Sequence, residues 1–277
     1  MTDLIRTTIP IGLPRPVRVL HVTDTHLPLC GGDDAPQFVR QSARRGDPAG
    51  ILAALDEQLA YARAHCDLLL HTGDLIDFPS KANVAFAREF LRQEDVLFIA
   101  GNHEYWQCDG GNEDMAYRMN SFRRFGGLGV DMFFTSRVVG GVNFVGIDDA
   151  YHQVEAWQTE RLRQEVQKGL PVVLFLHAPL FEEALFARSV AYWRDTTAYL
   201  VGVDEAHLMS YSDWGRETQT PTADTRAFVD YVNAESAVRA VIAGHVHFHF
   251  ESRLPGGAPQ LVTACSAKNA AREITLL

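Results

Sequence analysis

The sequence predicts a layered α/β fold, on three observations. Five short apolar runs recur along the 277 residues, helix-like segments separate them, and each run stops at a cluster drawn from Asp, Asn, Gly and His. The runs cover residues 17–22, 68–70, 96–100, 172–176 and 238–243. Most are nearly continuous in Val, Leu, Ile, Phe and Ala, the pattern of strands buried on both faces. Between them, residues 51–65, 81–92, 153–168 and 223–233 read as helices. Strands alternating with helices pack as layers around a sheet.

Composition sets the outer bounds. At 47% hydrophobic and 22% charged, the chain is ordinary for a globular protein and long enough to bury a core without disulfides. No Gly/Ser linker or repeat divides it, so residues 1–277 are expected to form one domain, with a cap-like insertion at about 181–222. A net charge of −10 argues against gripping nucleic-acid backbones, which takes a surplus of Lys and Arg. Cys30, Cys66, Cys108 and Cys265 form no CxxC pair and read as reduced thiols. The first residues lack the apolar stretch of a signal peptide, and the longest strongly apolar run, 172–176, is far too short to span a bilayer. A cytoplasmic protein without membrane partners is expected.

The strand ends carry the chemistry. The first run leads into Thr23-Asp24-Thr25-His26 and the second into Gly73-Asp74-Leu75-Ile76-Asp77. The third leads into Gly101-Asn102-His103-Glu104, the fourth into His177-Ala178-Pro179 and the fifth into Gly244-His245-Val246-His247. Ligands of open α/β sheets bind outside the carboxyl ends of the strands, so clusters far apart in sequence are expected to meet there. Turn chemistry alone explains an Asp, Asn or Gly after a strand, and a lone histidine is an ordinary core residue. It does not explain why five of eleven histidines fall in four of these five clusters.

At these residues the chain resembles the calcineurin-like metallophosphoesterases. The blocks D-x-H (24–26), G-D-x-x-D (73–77), G-N-H-[DE] (101–104), a single His (177) and G-H-x-H (244–247) stand in that family's order. The resemblance implies an α/β/β/α sandwich of two facing mixed sheets. It implies one metal held by Asp24, His26, Asp74 and His247, and a second held by Asn102, His177 and His245, with Asp74 bridging. His103 is implied to face the substrate, Glu104 to be the acid that orients it, and Asp77 to be a supporting acid of the G-D-x-x-D block.

Two carboxylates, one amide and four imidazoles suit first-row transition metals such as Mn, Fe or Zn better than Mg or Ca. Two divalent ions outweigh the carboxylates and leave a cationic pit in an acidic protein. The expected reaction is hydrolysis of a small phosphoester, foremost a phosphodiester, by a metal-activated hydroxide with His103 as general acid. Phosphomonoesterase or protein phosphatase activity is the alternative. A nuclease is disfavoured by the acidic balance, and a non-catalytic scaffold by the retention of every ligand position.

Specificity is expected to lie in the insertions. Residues 31–48 carry Arg40, Arg44 and Arg45, read as a solvated helix face. Residues 181–222 carry Tyr192, Trp193, Tyr199, Tyr211 and Trp214, either capping the site or packing as a helical excursion. Asp148 and Asp149 read as turn residues, Cys30 as a small buried thiol, and the segment from His247 onward as strands completing the second sheet.

Overall fold

The computed structural model describes residues 3–109, 115–125 and 131–277. Its first part runs β1 (Asp3–Ile9), β2 (Val17–Val22), α1 (Pro36–Arg45), α2 (Pro48–His65), β3 (Leu68–His71), α3 (Lys81–Gln93), β4 (Val96–Phe98), α4 (Asn102–Tyr105) and α5 (Met115–Phe122). The second part continues with β5 (Phe134–Val139), β6 (Val142–Ile147), α6 (Ala156–Val166), β7 (Val172–Phe175) and three helices, α7 (Glu183–Trp193), α8 (Glu205–Leu208) and α9 (Asp213–Gln219). It closes with α10 (Ala223–Ala234), β8 (Val238–Ala243), β9 (Phe250–Arg253), β10 (Pro259–Val262) and β11 (Ala270–Leu276).

The helices begin where side chains can satisfy free backbone donors. Asp47 accepts from the Ala49 N–H ahead of α2, Ser80 from Asn83 ahead of α3, and Thr222 from Thr225 ahead of α10. The four expected helices agree with these boundaries to within a few residues. Strand β1 was not foreseen, whereas α1 is the helix expected within residues 31–48. β1 is an edge strand of mixed polarity whose only ladder is parallel to β11, at the far end of the sequence.

Two mixed sheets result, in the orders β1-β11-β2-β3-β4 and β5-β6-β7-β8-β10-β9. Alternation along the strands explains why they stack. Leu68 and Leu70 of β3 point inward with Val19 of β2, meeting Phe144 of β6, Val173 and Phe175 of β7, and Ile242 of β8 in one core. Leu69 points the other way, into a core with Leu55 and Leu59 of α2 and Phe90 of α3. On the far side, Leu174 and Val241 pack with Leu162 of α6 and Phe228 of α10. The layers are therefore helix, sheet, sheet, helix. Each fully buried aliphatic side chain in them contributes about 1.5–3 kcal/mol.

One expectation needs correction. β9 and β10 do form a hairpin on the second sheet, but β11 crosses to the first and inserts between β1 and β2, antiparallel to β2. Its Ile274 and Leu276 join the core between the sheets, whereas the second sheet already ends in the β9 edge. Among the described residues no helix is long and apolar enough to cross a membrane.

Candidate metal centre

Strands β2, β3 and β4 run parallel in one sheet, and β7 and β8 run parallel in the other. Their carboxyl ends deliver Asp24 and His26, Asp74, Asn102, His177, and His245 with His247 to one place. The turns there are costly. Asp24, His26, Asp74, His245 and His247 all have left-handed backbone, with φ between 45° and 67°, and they make up half of the non-glycine residues so strained among those described. Such conformations cost of order 1–3 kcal/mol each and persist where the surroundings impose them. Two motif glycines are required by close approach: a Cβ on Gly101 would collide with Asp74 Oδ1, and one on Gly244 with Thr23 and Asp24.

The donor atoms fall into two basins that share one oxygen. In the first, His26 Nε2 lies 3.7 Å from Asp24 Oδ1 and 3.6 Å from Asp74 Oδ2, and His247 Nε2 lies 3.3 Å from Asp24 Oδ1. In the second, His177 Nε2 lies 3.4 Å from the same Asp74 Oδ2 and 3.0 Å from both Asn102 Oδ1 and His245 Nδ1. All seven expected ligands are thus brought together. Asp74 Oδ1 is taken up by the His103 backbone N–H at 2.8 Å, so Oδ2 faces both basins.

The arrangement fits cations. Asp24 Oδ1 is buried with no hydrogen-bond partner, an expensive state for a carboxylate oxygen. His26 Nε2 stands 3.0 Å from His247 Nε2, a separation of two imidazole nitrogens that needs a proton or a cation between them. The tautomers are set from behind: His26 Nδ1 faces Asp77 Oδ1 at 3.1 Å, and His177 Nδ1 faces the Thr72 carbonyl at 2.7 Å. A ligand histidine is normally held this way by its second nitrogen.

Asp77 anchors more than a ligand. Its buried carboxylate also lies 3.1 Å from His103 Nδ1, and its carbonyl oxygen lies 2.8 Å from that nitrogen. Burial disfavours the charge, but hydrogen bonds from His103 and His26 hold the Asp77 carboxyl far below the usual range. His103 shows the reciprocal effect. Burial works against a charged ring there, yet Asp74 and Asp77 raise its pKa to about 9. Its Nε2 is left for the pocket. His103 also lies within ligand reach of His26 and Asp74, but its Nδ1 is already engaged by Asp77.

Three expectations are corrected by this geometry. Glu104 does not reach His103; its carboxylate accepts the backbone N–H groups of Asp74 (2.8 Å), Gly101 (2.7 Å) and Ile76 (3.2 Å), tying two motif loops together. Burial, followed by the Asp74 charge, raises it to about 7. Arg45 is not merely solvated: from the end of α1 it grips Asp77 through Nη2 (2.7 Å) and Nε (2.9 Å), with Gln41 adding a bond at 3.2 Å. Asp148 and Asp149 keep the expected turn role, Asp148 Oδ1 accepting the Ala150 N–H at 2.9 Å and the Asp149 carbonyl the His152 N–H at 2.6 Å, and both are also fully buried. Asp148 pairs with Arg118 and Tyr105, while Asp149 accepts the backbone N–H groups of His177 and Ala178 and so shapes that loop. Cys30 is only half-buried and rests on its neighbour's carbonyl.

One buried residue escaped the sequence reading. His152 Nε2 lies 3.3 Å from His245 Nε2, on the side of that ring opposite the basin. Burial above all pushes His152 down to about 3, so its ring is neutral and offers an acceptor nitrogen to His245. The signal was present: residues 148–152 follow β6, a sixth strand end beside the other five.

Above the basins opens a pocket of about 200 Å³, floored by Asp74, Asn102, His103, His245 and His247 and walled by Trp193 and Tyr199. Both aromatics come from residues 181–222, which fold as α7, α8 and α9 and pack Leu185, Leu200, Leu208 and Tyr211 against Val246, Phe248 and Val262. No lysine or arginine lines this pocket among the described residues.

No curated protein sequence matches the chain. Among solved structures, a dimetal phosphatase from Danio rerio is 14% identical with a TM-score of 0.49, over 92% of this chain and 91% of that one. A phosphopantetheinyl hydrolase from Mycobacterium tuberculosis is 13% identical with a TM-score of 0.42, over 94% and 91%. A protein described as a 5′-nucleotidase from Staphylococcus aureus is 13% identical with a TM-score of 0.48; the match covers 91% of this chain but only 49% of that one, so this chain spans about half that relative's length. The family profile described as calcineurin-like phosphoesterase matches residues 17–249, which hold every donor described above. A metal-dependent phosphoester hydrolase is what that family and this donor set make of the chain. On the extent of that match, the chain belongs to the calcineurin-like phosphoesterases.

Proposed function

We propose that this enzyme hydrolyses a small phosphodiester, with two divalent transition-metal ions in the two basins and His103 protonating the departing alcohol. The observation that carries this reading is the sharing of Asp74 Oδ2 between the two donor sets. When bound, such a metal pair supplies an activated nucleophile at neutral pH and neutralises the phosphoryl oxygens.

The chain's own residues do the rest. Asp24, His26, Asp74 and His247 would hold one ion, and Asp74, Asn102, His177 and His245 the other. The neutral amide of Asn102 fills a ligand position without adding negative charge, which keeps the pit attractive to phosphate. His103 is held at Nδ1 by Asp77, presents Nε2 to the pocket and can deliver a proton to the leaving oxygen. The absence of Lys and Arg from the lining, among the described residues, favours a singly charged diester over a dianionic monoester. Four free cysteines support the expected cytoplasmic setting.

The test is initial rate on bis-p-nitrophenyl phosphate against p-nitrophenyl phosphate, using metal-stripped protein reloaded with Mn²⁺, Zn²⁺ or Mg²⁺. Metal-dependent turnover favouring the diester is expected, with two ions per chain and neither retained tightly by Asp74→Ala. A clear preference for the monoester would make the enzyme a phosphatase, and no bound metal would remove the hydrolytic reading.

A further inference from the structure

The walls of the pocket differ in kind from its floor. Trp193 ends α7 with 39% of the residue exposed and its ring tilted against that of His247, ring centres 5.4 Å apart. Tyr199 stands against the other basin, 6.1 Å from the His245 ring. Each basin thus has one aromatic ring beside it, both supplied by the insertion between the fourth and fifth ligand clusters.

The backbone shows that Tyr199 is held there. Its φ is 58°, a left-handed conformation rarely adopted by a bulky side chain, and Arg194, directly after α7 in the same connecting segment, has φ 54°. The segment is tied down on both sides: Tyr199 Oη donates to Asp195 Oδ2 at 3.0 Å, and Val201 forms a bridge with Leu180. Strained residues concentrate where a side chain must be aimed.

Charge narrows what that partner is. The lining supplies aromatic faces and no Lys or Arg among the described residues, so a second anionic group on the substrate would gain no ionic contact. The volume, about 200 Å³, is below the roughly 300–1,000 Å³ of sites for drug-sized ligands. On the phosphoester reading above, we infer that Trp193 and Tyr199 select the alcohol side of the substrate, and that this side is a compact, flat, uncharged aromatic or heterocyclic group. Ring-on-ring contact favours a planar π system over a saturated ring of equal size.

Phosphonates separate the wall from the floor, because their P–C bond is not hydrolysed and binding is read directly by calorimetry. With Mn²⁺-loaded protein, phenylphosphonate is expected to bind about fivefold more tightly than cyclohexylphosphonate. In Trp193→Leu and in Tyr199→Leu that ratio should fall toward unity, and Trp193→Phe should restore most of it. Equal affinities for the two phosphonates in the unmodified enzyme, or a ratio unchanged in both leucine variants, would overturn the inference. If methylphosphonate binds while the phenyl preference is missing, only the wall is wrong. If no phosphonate binds to protein carrying its metals, the inference is overturned, and turnover of bis-p-nitrophenyl phosphate by the same protein decides whether the phosphoester reading falls with it.

Discussion

Asp77 Oδ1 lies 3.1 Å from Nδ1 of His26 and 3.1 Å from Nδ1 of His103, joining a metal donor to the residue that faces the substrate. One buried carboxylate therefore orients two imidazoles with different tasks, and Arg45 closes its remaining side. Asp77→Asn keeps the shape and removes the charge. We expect metal affinity at the first basin to fall about 10–100-fold, the usual consequence of losing the group behind a ligand histidine. Turnover of alkyl esters should fall as well. Calorimetric metal titration alongside kcat measures both, and a drop in only one would show that the two roles are separable.

His103→Ala tests the proton donor. A general acid contributes about 10²–10⁴-fold where the leaving alcohol is a poor one. The loss should be large for an alkyl ester and small for a p-nitrophenyl ester, whose leaving group departs without a proton. Equal losses on both substrates would remove His103 from this role.

Asn102→Asp adds a negative charge to the second basin without changing the size of the side chain. Metal content should persist or rise, while binding of a phosphate analogue should weaken by at least several-fold. Metal analysis by mass spectrometry together with inorganic phosphate inhibition would decide the point. Full metal with unchanged inhibition would show that net charge in the pit is unimportant.

His152 acts behind His245, whose Nδ1 faces the basin and whose Nε2 meets His152 at 3.3 Å. His152→Phe fills the space but offers no acceptor. The second metal is expected to bind about 10–100-fold more weakly while the first is nearly unaffected. His152→Gln, which can still accept, should recover part of the loss. Two-site metal titration reads this without reference to turnover.

Arg118 and Asp148 form a buried ion pair bridging α5 and the end of β6, with Arg118 also stacked over Tyr105 at 5.1 Å. Arg118→Met leaves Asp148 buried without its cation. Breaking such a pair from one side costs about 3–5 kcal/mol. Chemical denaturation should show it, and a loss under about 1 kcal/mol would mean that Asp148 takes up a proton or water instead.

Much of the centre was legible before any coordinates. Continuous apolar runs identify buried strands because every side chain in them meets a hydrophobic layer, and turn residues directly after a run identify its end. The seven donors and His103 stand at five such ends and meet in space. Helix starts at 81 and 223 follow from Ser80 and Thr222, whose side chains act on their own neighbours. All of these are local properties, within a few residues of the signal that reveals them.

What only the tertiary structure decided depends on partners far apart in the chain. β11 lies in the first sheet because its apolar face fills the core beside β2, and no local pattern distinguishes that sheet from the other. Arg45 looks like any helix-end arginine until Asp77, 32 residues on, receives it. Glu104 sits beside His103 in sequence yet spends its oxygens on three backbone amides. His152 and Tyr199 acquire meaning only from the left-handed turns that aim their rings at His245. Periodicity and turn chemistry are written residue by residue, whereas the aim of a side chain is set by packing across the whole fold.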